Sequence, residues 1–223
     1  GIGGATGDLA LPPRADGSVP GMGAYWRYET FLRDREARTG SVVGATGALY
    51  CVRRALFVPF EPDLVLDDMV GPLRVTLGGH RFVFAHGARA LDVFSDDLQH
   101  EYRRKVRTLA GVYQAMAFEP RLTQLGSGVW GRFFWHKRGR LLLPWLLAVN
   151  LLSALVCATA DGWYAAPALF VLCGHLGLWG GYAVSVTTGR MRLFQTLGTL
   201  VRAAFDARRQ WSAGGVTAAP LLK

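Results

Sequence analysis

The sequence predicts an α/β domain that is followed by a hairpin of two transmembrane helices. Helical and strand-like patterns alternate from Tyr25 to Pro120, which is typical of an α/β domain. Two uncharged runs follow, at Leu141–Ala160 and Trp163–Thr188, and each is long enough to cross the roughly 30 Å hydrocarbon core of a bilayer. Hydrophobic residues make up 51% of the 223 residues and charged residues 18%, a composition that excludes a disordered tail.

The amino-terminal region is predicted to combine a loop with one helix. Residues 1–23 are rich in Gly, Pro and Asp, so we expect a loop with one short strand around Leu9–Leu11. Helical periodicity predicts a helix over Tyr25–Arg38. The apolar residues of this helix share one face: Tyr25, Tyr28, Phe31 and Leu32.

Three strands are predicted between residues 48 and 94. The Gly-rich turn Gly44-Ala45-Thr46-Gly47 leads into Ala48–Val52, whose composition predicts a buried strand that Arg53 and Arg54 close. Strand-like composition at Arg81–Ala85 and Ala88–Phe94 predicts two more strands around His86-Gly87. Because so few strands do not complete a sheet, and because the chain begins at Gly1, we expect the carboxyl-terminal portion of a larger protein.

Two further helices are predicted next to acidic residues. Asp67 and Asp68 precede Met69–Leu77, where an acidic side chain could cap a short helix. A longer helix is predicted over Leu98–Phe118; Pro120 ends it, and Ser95, Asp96 or Asp97 caps it. From the residues alone, the pair Asp67-Asp68 fits either a helix cap or a catalytic carboxylate.

Basic residues concentrate immediately before the first apolar run. The chain carries a net charge of +9, and Leu98–Arg140 holds nine basic residues against two acidic ones. Such a cluster suits nucleic acid, anionic lipid headgroups or the phosphates of a sugar nucleotide. Its position beside an apolar run favours lipids of the inner leaflet, and no nucleic-acid-reading motif accompanies it. We therefore expect membrane lipids, and no nucleic acid, among the partners.

The distribution of charge also predicts the orientation of an integral, multi-pass membrane protein. Basic residues flank both spans, whereas the connection between the spans has none; they are Lys137, Arg138, Arg140, Arg190 and Arg192. The positive-inside rule places both flanks, and with them the soluble part and the carboxyl terminus, in the cytoplasm. Gly189–Trp211 is expected to form an interfacial helix or a third span.

Two other features of the membrane part carry expectations. His175 lies within the second span, where it either hydrogen-bonds between two helices or marks a proton path, and the first is the simpler interpretation. An aromatic group before the first span is expected in the headgroup layer: Trp130, Phe133, Phe134 and Trp135.

Several short motifs follow one another in a characteristic order. They are Tyr25-Trp26-Arg27-Tyr28-Glu29, the turn Gly44–Gly47 with Tyr50 and Arg53-Arg54, the pair Asp67-Asp68, Arg103-Arg104-Lys105-Val106-Arg107, and Phe134-Trp135-His136-Lys137 before the hairpin. This order resembles the second half of membrane family 2 glycosyltransferases such as the cellulose, hyaluronan and poly-N-acetylglucosamine synthases. The resemblance covers about residues 1–211.

The resemblance implies the organisation of the chain. Residues 1–120 correspond to the second half of a GT-A-like glycosyltransferase domain, and 121–140 to an interfacial aromatic and basic segment. Residues 141–188 correspond to two transmembrane helices, and 189–223 to a cytoplasmic tail with an amphipathic or third membrane helix. The nucleotide-binding half of the domain is expected upstream of Gly1.

The resemblance also implies roles for individual residues. In that family the second carboxylate of an acidic pair acts as general base, which gives this role to Asp68 and an orienting role to Asp67. Arg107 matches the family's diphosphate-facing Arg, while Arg104 and Thr108 replace its Gln and Trp. The substrate-binding residues implied here are Arg104, Arg107, Gly44, Thr46 and Gly47.

The function implied is that of an inverting glycosyltransferase at the cytoplasmic membrane face. It would move a sugar from a nucleotide-sugar donor to a polysaccharide or lipid-linked acceptor, and this chain alone is expected to be inactive. Mg²⁺ or Mn²⁺ is expected in the intact protein, with its ligands outside this chain. A competing hypothesis is a non-catalytic membrane anchor or scaffold that binds anionic lipid or a synthase partner.

Overall fold

The computed structural model describes residues 1–10, 23–92, 98–159, 162–188 and 192–213. The predicted cap at Ser95, Asp96 or Asp97 lies outside these residues. In chain order the elements are β1 (Ile2–Ala10), α1 (Gly23–Thr39), β2 (Tyr50–Val52), α2 (Asp67–Leu77), β3 (Arg81–Leu91), α3 (Leu98–Phe118), α4 (Trp130–Phe133), α5 (Gly139–Ala158), α6 (Ala165–Thr188) and α7 (Arg192–Ser212). A π-helical turn, Phe134–Arg138, joins α4 to α5.

β1 is the central strand of a three-stranded sheet with the order β2-β1-β3. It pairs antiparallel with β2 and parallel with β3. The expectation of a loop with one short strand near Leu9–Leu11 is therefore wrong, since β1 covers Ile2–Ala10. Neighbouring strands lie so close to β1 that glycine is needed at Gly4. A Cβ at this position would overlap the ring of Phe82 and lie 2.7 Å from the carbonyl oxygen of Cys51.

The two flanking strands differ from the predicted ones. β2 covers only Tyr50–Val52 and forms an edge of the sheet with Cys51 exposed, so the predicted buried strand over Ala48–Val52 is wrong. The two strands predicted over Arg81–Ala85 and Ala88–Phe94 are a single strand, β3. Its register against β1 jumps from Phe84 to Arg89, so His86-Gly87 lies in a bulge rather than in a turn between strands.

Helix α1 is confirmed, but its apolar face is not the buried one. Tyr28 and Phe31 are 54% and 51% exposed. The buried side chains are instead Glu29, Arg33 and Ala37, which recur at every fourth residue along one face. The buried face of α1 therefore combines two charged side chains with Ala37, which belongs to an apolar core.

Two apolar cores hold the soluble part together. One lies between the sheet, α1 and α2, and includes Val42, Val75, Phe82 and Phe84. The other joins α2, α3, α4 and α7, and includes Val70, Leu73, Ala110, Phe133 and Ala203. Phe133, which was expected in the headgroup layer, is fully buried in this second core. The core forms because small alanines of α3 and α7 let the two helices approach closely.

Helices predicted from length and composition are present. α2 and α3 occupy Asp67–Leu77 and Leu98–Phe118, and two of the described helices are long and apolar enough to span a membrane, over Trp130–Ala158 and Ala165–Thr188. His175 of α6 contacts Asn150 of α5 across the hairpin, Nε2 to Oδ1 at 2.9 Å. This pairing supports the simpler interpretation of His175 as a hydrogen-bonded residue between two helices.

Candidate active site

Asp67 and Asp68 are the first two residues of α2. The N-cap is Leu66, and its side chain makes no capping hydrogen bond. The idea that the acidic pair caps a following helix is therefore wrong, because both residues belong to the first helical turn itself. Negative charge in a first turn is favourable beside the positive end of the helix dipole. Asp67 is exposed, whereas Asp68 is half-buried.

A proline ties Asp68 to the Gly-rich turn. In an α-helix the carbonyl of Asp68 would accept from the N–H of residue 72, but Pro72 has no N–H to donate. The carbonyl oxygen of Asp68 instead accepts a hydrogen bond from the backbone N–H of Ala45, at 2.8 Å. The turn Gly44–Gly47 is thereby fixed to the start of α2.

The glycines of this turn leave space beside Asp68. A Cβ on Gly47 would lie 3.3 Å from Oδ2 of Asp68, and a Cβ on Gly44 would lie 3.9 Å from Nζ of Lys137. Thr46 is buried, and its N–H donates to Oγ1 of Thr6 on β1 at 2.9 Å. Thr46 therefore anchors the turn to the sheet, while the glycines allow a close approach to the carboxylate.

Three cations from three different elements surround the Asp68 carboxyl group. They are Arg33 of α1, Arg107 of α3 and Lys137 of the π-helical turn. Burial raises the pKa of Asp68; the charge of Lys137 opposes this rise, Asp67 adds to it, and Arg33 and Arg107 oppose it. The net effect is a pKa above that of an ordinary aspartate, which is the direction that improves proton acceptance.

Asp67 has a different environment from its neighbour. Its Oδ2 accepts a hydrogen bond from the hydroxyl of Tyr50 at 3.1 Å. Partial burial, together with the negative charge of Asp67, raises the pKa of Tyr50 to about 12. Tyr50 therefore stays protonated at neutral pH and holds the Asp67 carboxylate in one orientation.

The predicted arginines lie on α3, one helical turn apart. Arg107 is half-buried and belongs to the charged group around Asp68. Arg104 is also half-buried, and its backbone carbonyl accepts a hydrogen bond from Oγ1 of Thr108 at 2.9 Å. Arg107 therefore interacts electrostatically with Asp68, and Arg104 lies one turn earlier on the same helix.

A buried ionic cluster adjoins this group. Glu29 is 3% exposed; its Oε1 contacts Nη2 of Arg140 at 2.5 Å and its Oε2 contacts Nε2 of His136 at 3.1 Å. Burial alone would raise the pKa of Glu29, but the hydrogen bond from His136 and the charges of Lys137 and Arg140 outweigh burial and hold it well below the usual range. Glu29 is therefore ionised at neutral pH.

Sequence reasoning gave no site role to Glu29, Arg33, His136 and Lys137, or to Glu36, whose Oε1 lies 2.6 Å from Nδ1 of His136. Glu29, His136 and Lys137 nevertheless stand within the motifs that carried the resemblance. A usable signal existed on α1, because Glu29, Arg33 and Glu36 follow the spacing of one helix face. The spacing of Asp68 and Pro72 was a second signal, since a proline inside a helix leaves a carbonyl that needs another donor. No sequence pattern indicated which side of the juxtamembrane helix, residues 130–140, His136 would occupy.

The composition of the charged groups around Asp68 and Glu29 does not suit a metal centre. Among the residues that the structure describes, no group of three or more His, Cys, Asp or Glu side chains could hold a metal ion. The basic groups around Asp68 would repel a cation. No chemical step at this site is therefore assigned to a metal that this chain would bind.

Comparison with known proteins reveals similarity in structure rather than in sequence. No family model matches the chain, and no curated protein matches it. Among solved structures, the chain is similar to the mannosyltransferase PcManGT from Pyrobaculum calidifontis in complex with GDP-Man and Mn²⁺. The TM-score is 0.61 at 17% sequence identity, and the match covers 94% of this chain and 53% of the other. The chain therefore spans about half of that protein and shares its fold over this part.

Proposed function

We propose that this chain is the acceptor-side half of an inverting glycosyltransferase that works at the cytoplasmic face of a membrane. It moves a sugar from a nucleotide-sugar donor to the hydroxyl group of a polysaccharide or lipid-linked acceptor. Asp68 is the general base, Arg107 stabilises the departing diphosphate, and Asp67 orients the acceptor. The fold shared with a mannosyltransferase, the motif order and the geometry around Asp68 together support this proposal.

The observation that carries the proposal is the setting of Asp68. Its carboxyl group is half-buried at the first turn of a helix, next to glycines that leave room for a ligand. Its pKa is raised, so it accepts a proton more readily than an exposed aspartate does. An acceptor hydroxyl must lose a proton as it attacks the anomeric carbon, and a carboxylate within reach supplies that function.

Arg107 provides the second part of the chemistry. Negative charge develops on the nucleotide diphosphate as its bond to the sugar breaks, and a fixed guanidinium stabilises this charge. Arg107 lies near enough to Asp68 for their charges to interact, which supports placing both residues beside one ligand. Arg104, one turn earlier on α3, would face the same diphosphate.

The donor and the metal belong to the intact protein. The similar structure contains GDP-Man and Mn²⁺, which makes GDP-mannose with Mn²⁺ the first donor to test. A divalent cation neutralises a departing diphosphate when it is bound. The residues described here contribute cations rather than metal ligands, so we assign the metal to the donor half of the protein.

The proposed location follows from the hairpin. The two apolar helices would cross the bilayer, and Arg138 at the head of the first helix would face anionic lipid at the inner leaflet, whereas Lys137 and Arg140 interact with Glu29 and Asp68. Trp135 is 80% exposed at the head of this helix, as a headgroup-layer residue would be. The acceptor would then reach Asp68 close to the membrane surface.

The decisive experiment compares aspartate variants in the intact protein, assayed in membranes with labelled nucleotide sugars. We expect Asp68→Asn to lower kcat by about 100-fold or more while the Kd of the donor changes little, because only the base is lost. Asp63→Asn is the matched control, since Asp63 is exposed just before α2. Near-normal transfer by Asp68→Asn would show that this carboxylate is not the base.

A parallel pair of variants tests Arg107. Arg107→Ala should lower kcat and weaken donor binding, because a guanidinium near the diphosphate is lost. Arg103→Ala is the control, because Arg103 is exposed on the same helix. Equal effects of the two substitutions would contradict a specific role for Arg107.

The exposed Trp135 and the basic juxtamembrane residues also favour a second candidate, a non-catalytic anchor that holds anionic lipid or a synthase partner. The two candidates differ in what Asp68 does. An anchor would keep its lipid binding and its biological activity in Asp68→Asn, whereas the transferase would lose activity.

A further inference from the structure

His136 is held between two carboxylates of the same helix. Its Nδ1 lies 2.6 Å from Oε1 of Glu36, and its Nε2 lies 3.1 Å from Oε2 of Glu29. The ring is 6% exposed. Both ring nitrogens are therefore paired, each with one carboxylate oxygen, and the ring bridges Glu29 and Glu36.

The position of His136 depends on the π-helical turn Phe134–Arg138. Such a turn inserts an additional residue into a helix and redirects the side chains around it. His136 and Lys137, although consecutive, both interact with groups of the soluble domain, whereas Trp135 points outward and is 80% exposed. The head of the first apolar helix thus presents two adjacent basic side chains to α1 and α2.

A continuous series of contacts runs from His136 to the candidate base. Oε1 of Glu36 meets His136, and Oε2 of Glu36 accepts the backbone N–H of Val43 at 3.1 Å. Val43 immediately precedes the turn Gly44–Gly47. Within that turn, Ala45 donates to the carbonyl oxygen of Asp68 at 2.8 Å. Two hydrogen bonds therefore tie the turn to the His136 side and to Asp68, in addition to the bond from Thr46 to Thr6 that anchors it to the sheet.

We propose that His136 is a positioning residue which, through Glu36 and Val43, fixes the turn Gly44–Gly47 against Asp68. The head of the first apolar helix thereby sets the place of the candidate base. Loss of the ring leaves Glu29 and Glu36 facing each other without the group that bridges them. Glu36 then withdraws from Val43 and the turn loosens. The surrounding charges that would respond are Arg33 of α1, Asp68 of α2, and Lys137 and Arg140 of the juxtamembrane helix.

The test compares four variants of the intact protein in detergent micelles or nanodiscs. His136→Gln removes the imidazole ring, and Glu36→Ala removes the link to Val43. Glu36→Gln is the conservative variant, because its amide oxygen can still accept from Val43 while its NH2 group donates to Nδ1 of the ring, whose proton then lies on Nε2, facing Glu29. His86→Gln is the matched control, since His86 pairs with Asp34 at 3.1 Å but is 65% exposed on β3.

Two measurements read the effect. Hydrogen–deuterium exchange of the segment 41–48 should speed up by about tenfold or more in His136→Gln and Glu36→Ala, because the turn opens locally. The kcat of sugar transfer should fall by about 10- to 100-fold with the donor KM nearly unchanged, because a displaced base slows the chemical step. Glu36→Gln and His86→Gln should remain close to the unsubstituted protein in both measurements.

The outcomes separate this inference from the proposed function, on which only the kinetic part rests. Unchanged exchange at residues 41–48 in both His136→Gln and Glu36→Ala overturns the inference whatever the activity. Faster exchange with full activity, in a protein that Asp68→Asn inactivates, also overturns it. If Asp68→Asn has no effect on transfer, the proposed function fails, and exchange alone decides whether His136 fixes the turn.

Discussion

Replacing Glu29 with alanine should destabilise the protein more than any surface change on the same helix. Glu29 is buried and contacts both Arg140 and His136. Its removal leaves Arg140, His136 and the nearby Lys137 without the carboxylate that they share. A buried charge that loses its partner keeps the full cost of its desolvation. The destabilisation therefore comes from the remaining cations rather than from the lost methylene groups.

The size of the effect follows from the depth of the site. Breaking a buried ion pair by removing one partner costs about 3–5 kcal/mol. In a chain of this size, 1 kcal/mol lowers the unfolding midpoint by about 2–4 °C. Glu29→Ala should therefore lower the midpoint by about 6–20 °C. Glu29→Gln retains most of the shape and should lie between the alanine variant and the unsubstituted protein.

Thermal unfolding in detergent, followed by circular dichroism, measures this shift. Asp34→Ala is the control, because Asp34 contacts Arg38 at 2.9 Å on the exposed side of the same helix. Exposed ion pairs contribute little, so this control should leave the midpoint unchanged. A shift in Glu29→Ala no larger than that in Asp34→Ala would refute the reasoning about buried charge.

The pKa of Glu29 adds a pH dependence with a definite sign. A carboxylate whose pKa is lowered in the folded state stabilises the fold above its unfolded pKa, and this contribution is lost as the pH falls. The difference between the unsubstituted protein and Glu29→Ala should therefore be complete at neutral pH. It should begin to shrink below about pH 4.3, the ordinary pKa of glutamate. A difference that shrank already between pH 7 and pH 6 would contradict this assignment.

Two further predictions concern the catalytic carboxylate and the packing of α7. Because burial raises the pKa of Asp68 and the charge of Asp67 adds to the rise, Asp67→Asn should move the acidic limb of the kcat profile to lower pH, and an unmoved limb would contradict the coupling. A Cβ on Gly198 of α7 would lie 2.5 Å from Cγ of Tyr182 on α6, so Gly198→Ala should cost about 1–3 kcal/mol in thermal unfolding. Gly177→Ala should not lower the free energy of unfolding, because a Cβ at this position meets nothing within 4 Å. Equal losses of stability in the two variants would argue against the close packing of α6 and α7.

Elements governed by local rules could be predicted from the sequence. The limits of α3 follow from its periodicity and from Pro120, and the two apolar helices follow from uncharged length. β1 could not be predicted in this way, because Gly3, Gly4 and Gly7 have low strand propensity. In the structure these glycines fit because neighbouring side chains and backbone occupy the space that a Cβ would need. That requirement depends on strands and helices distant in sequence.

The residues of the candidate site also divide into those that local sequence patterns predict and those that depend on distant parts of the chain. The pair Asp67-Asp68 and Arg107 were predicted because the motif order pointed to them, and Asp68 and Arg107 interact electrostatically in the structure. The buried face of α1 was missed because periodicity identifies a face without revealing the surface that it meets. Tyr28 and Phe31 formed the more apolar face, yet Glu29 is buried because His136 and Arg140 of the juxtamembrane helix lie opposite it.

The polar junction between α1 and the juxtamembrane helix suits the fixing of one geometry better than the gain of stability. An apolar junction of the same size would be at least as stable, since buried ion pairs barely repay their desolvation. It would, however, tolerate a rotation of the helix, because apolar contacts are not directional. Here a shift by one residue would bring Trp135 or Lys137 to the place of His136 and leave Glu29 and Glu36 without their matched donors. We interpret the buried charges as the device that keeps the helix, the turn and Asp68 in a single register.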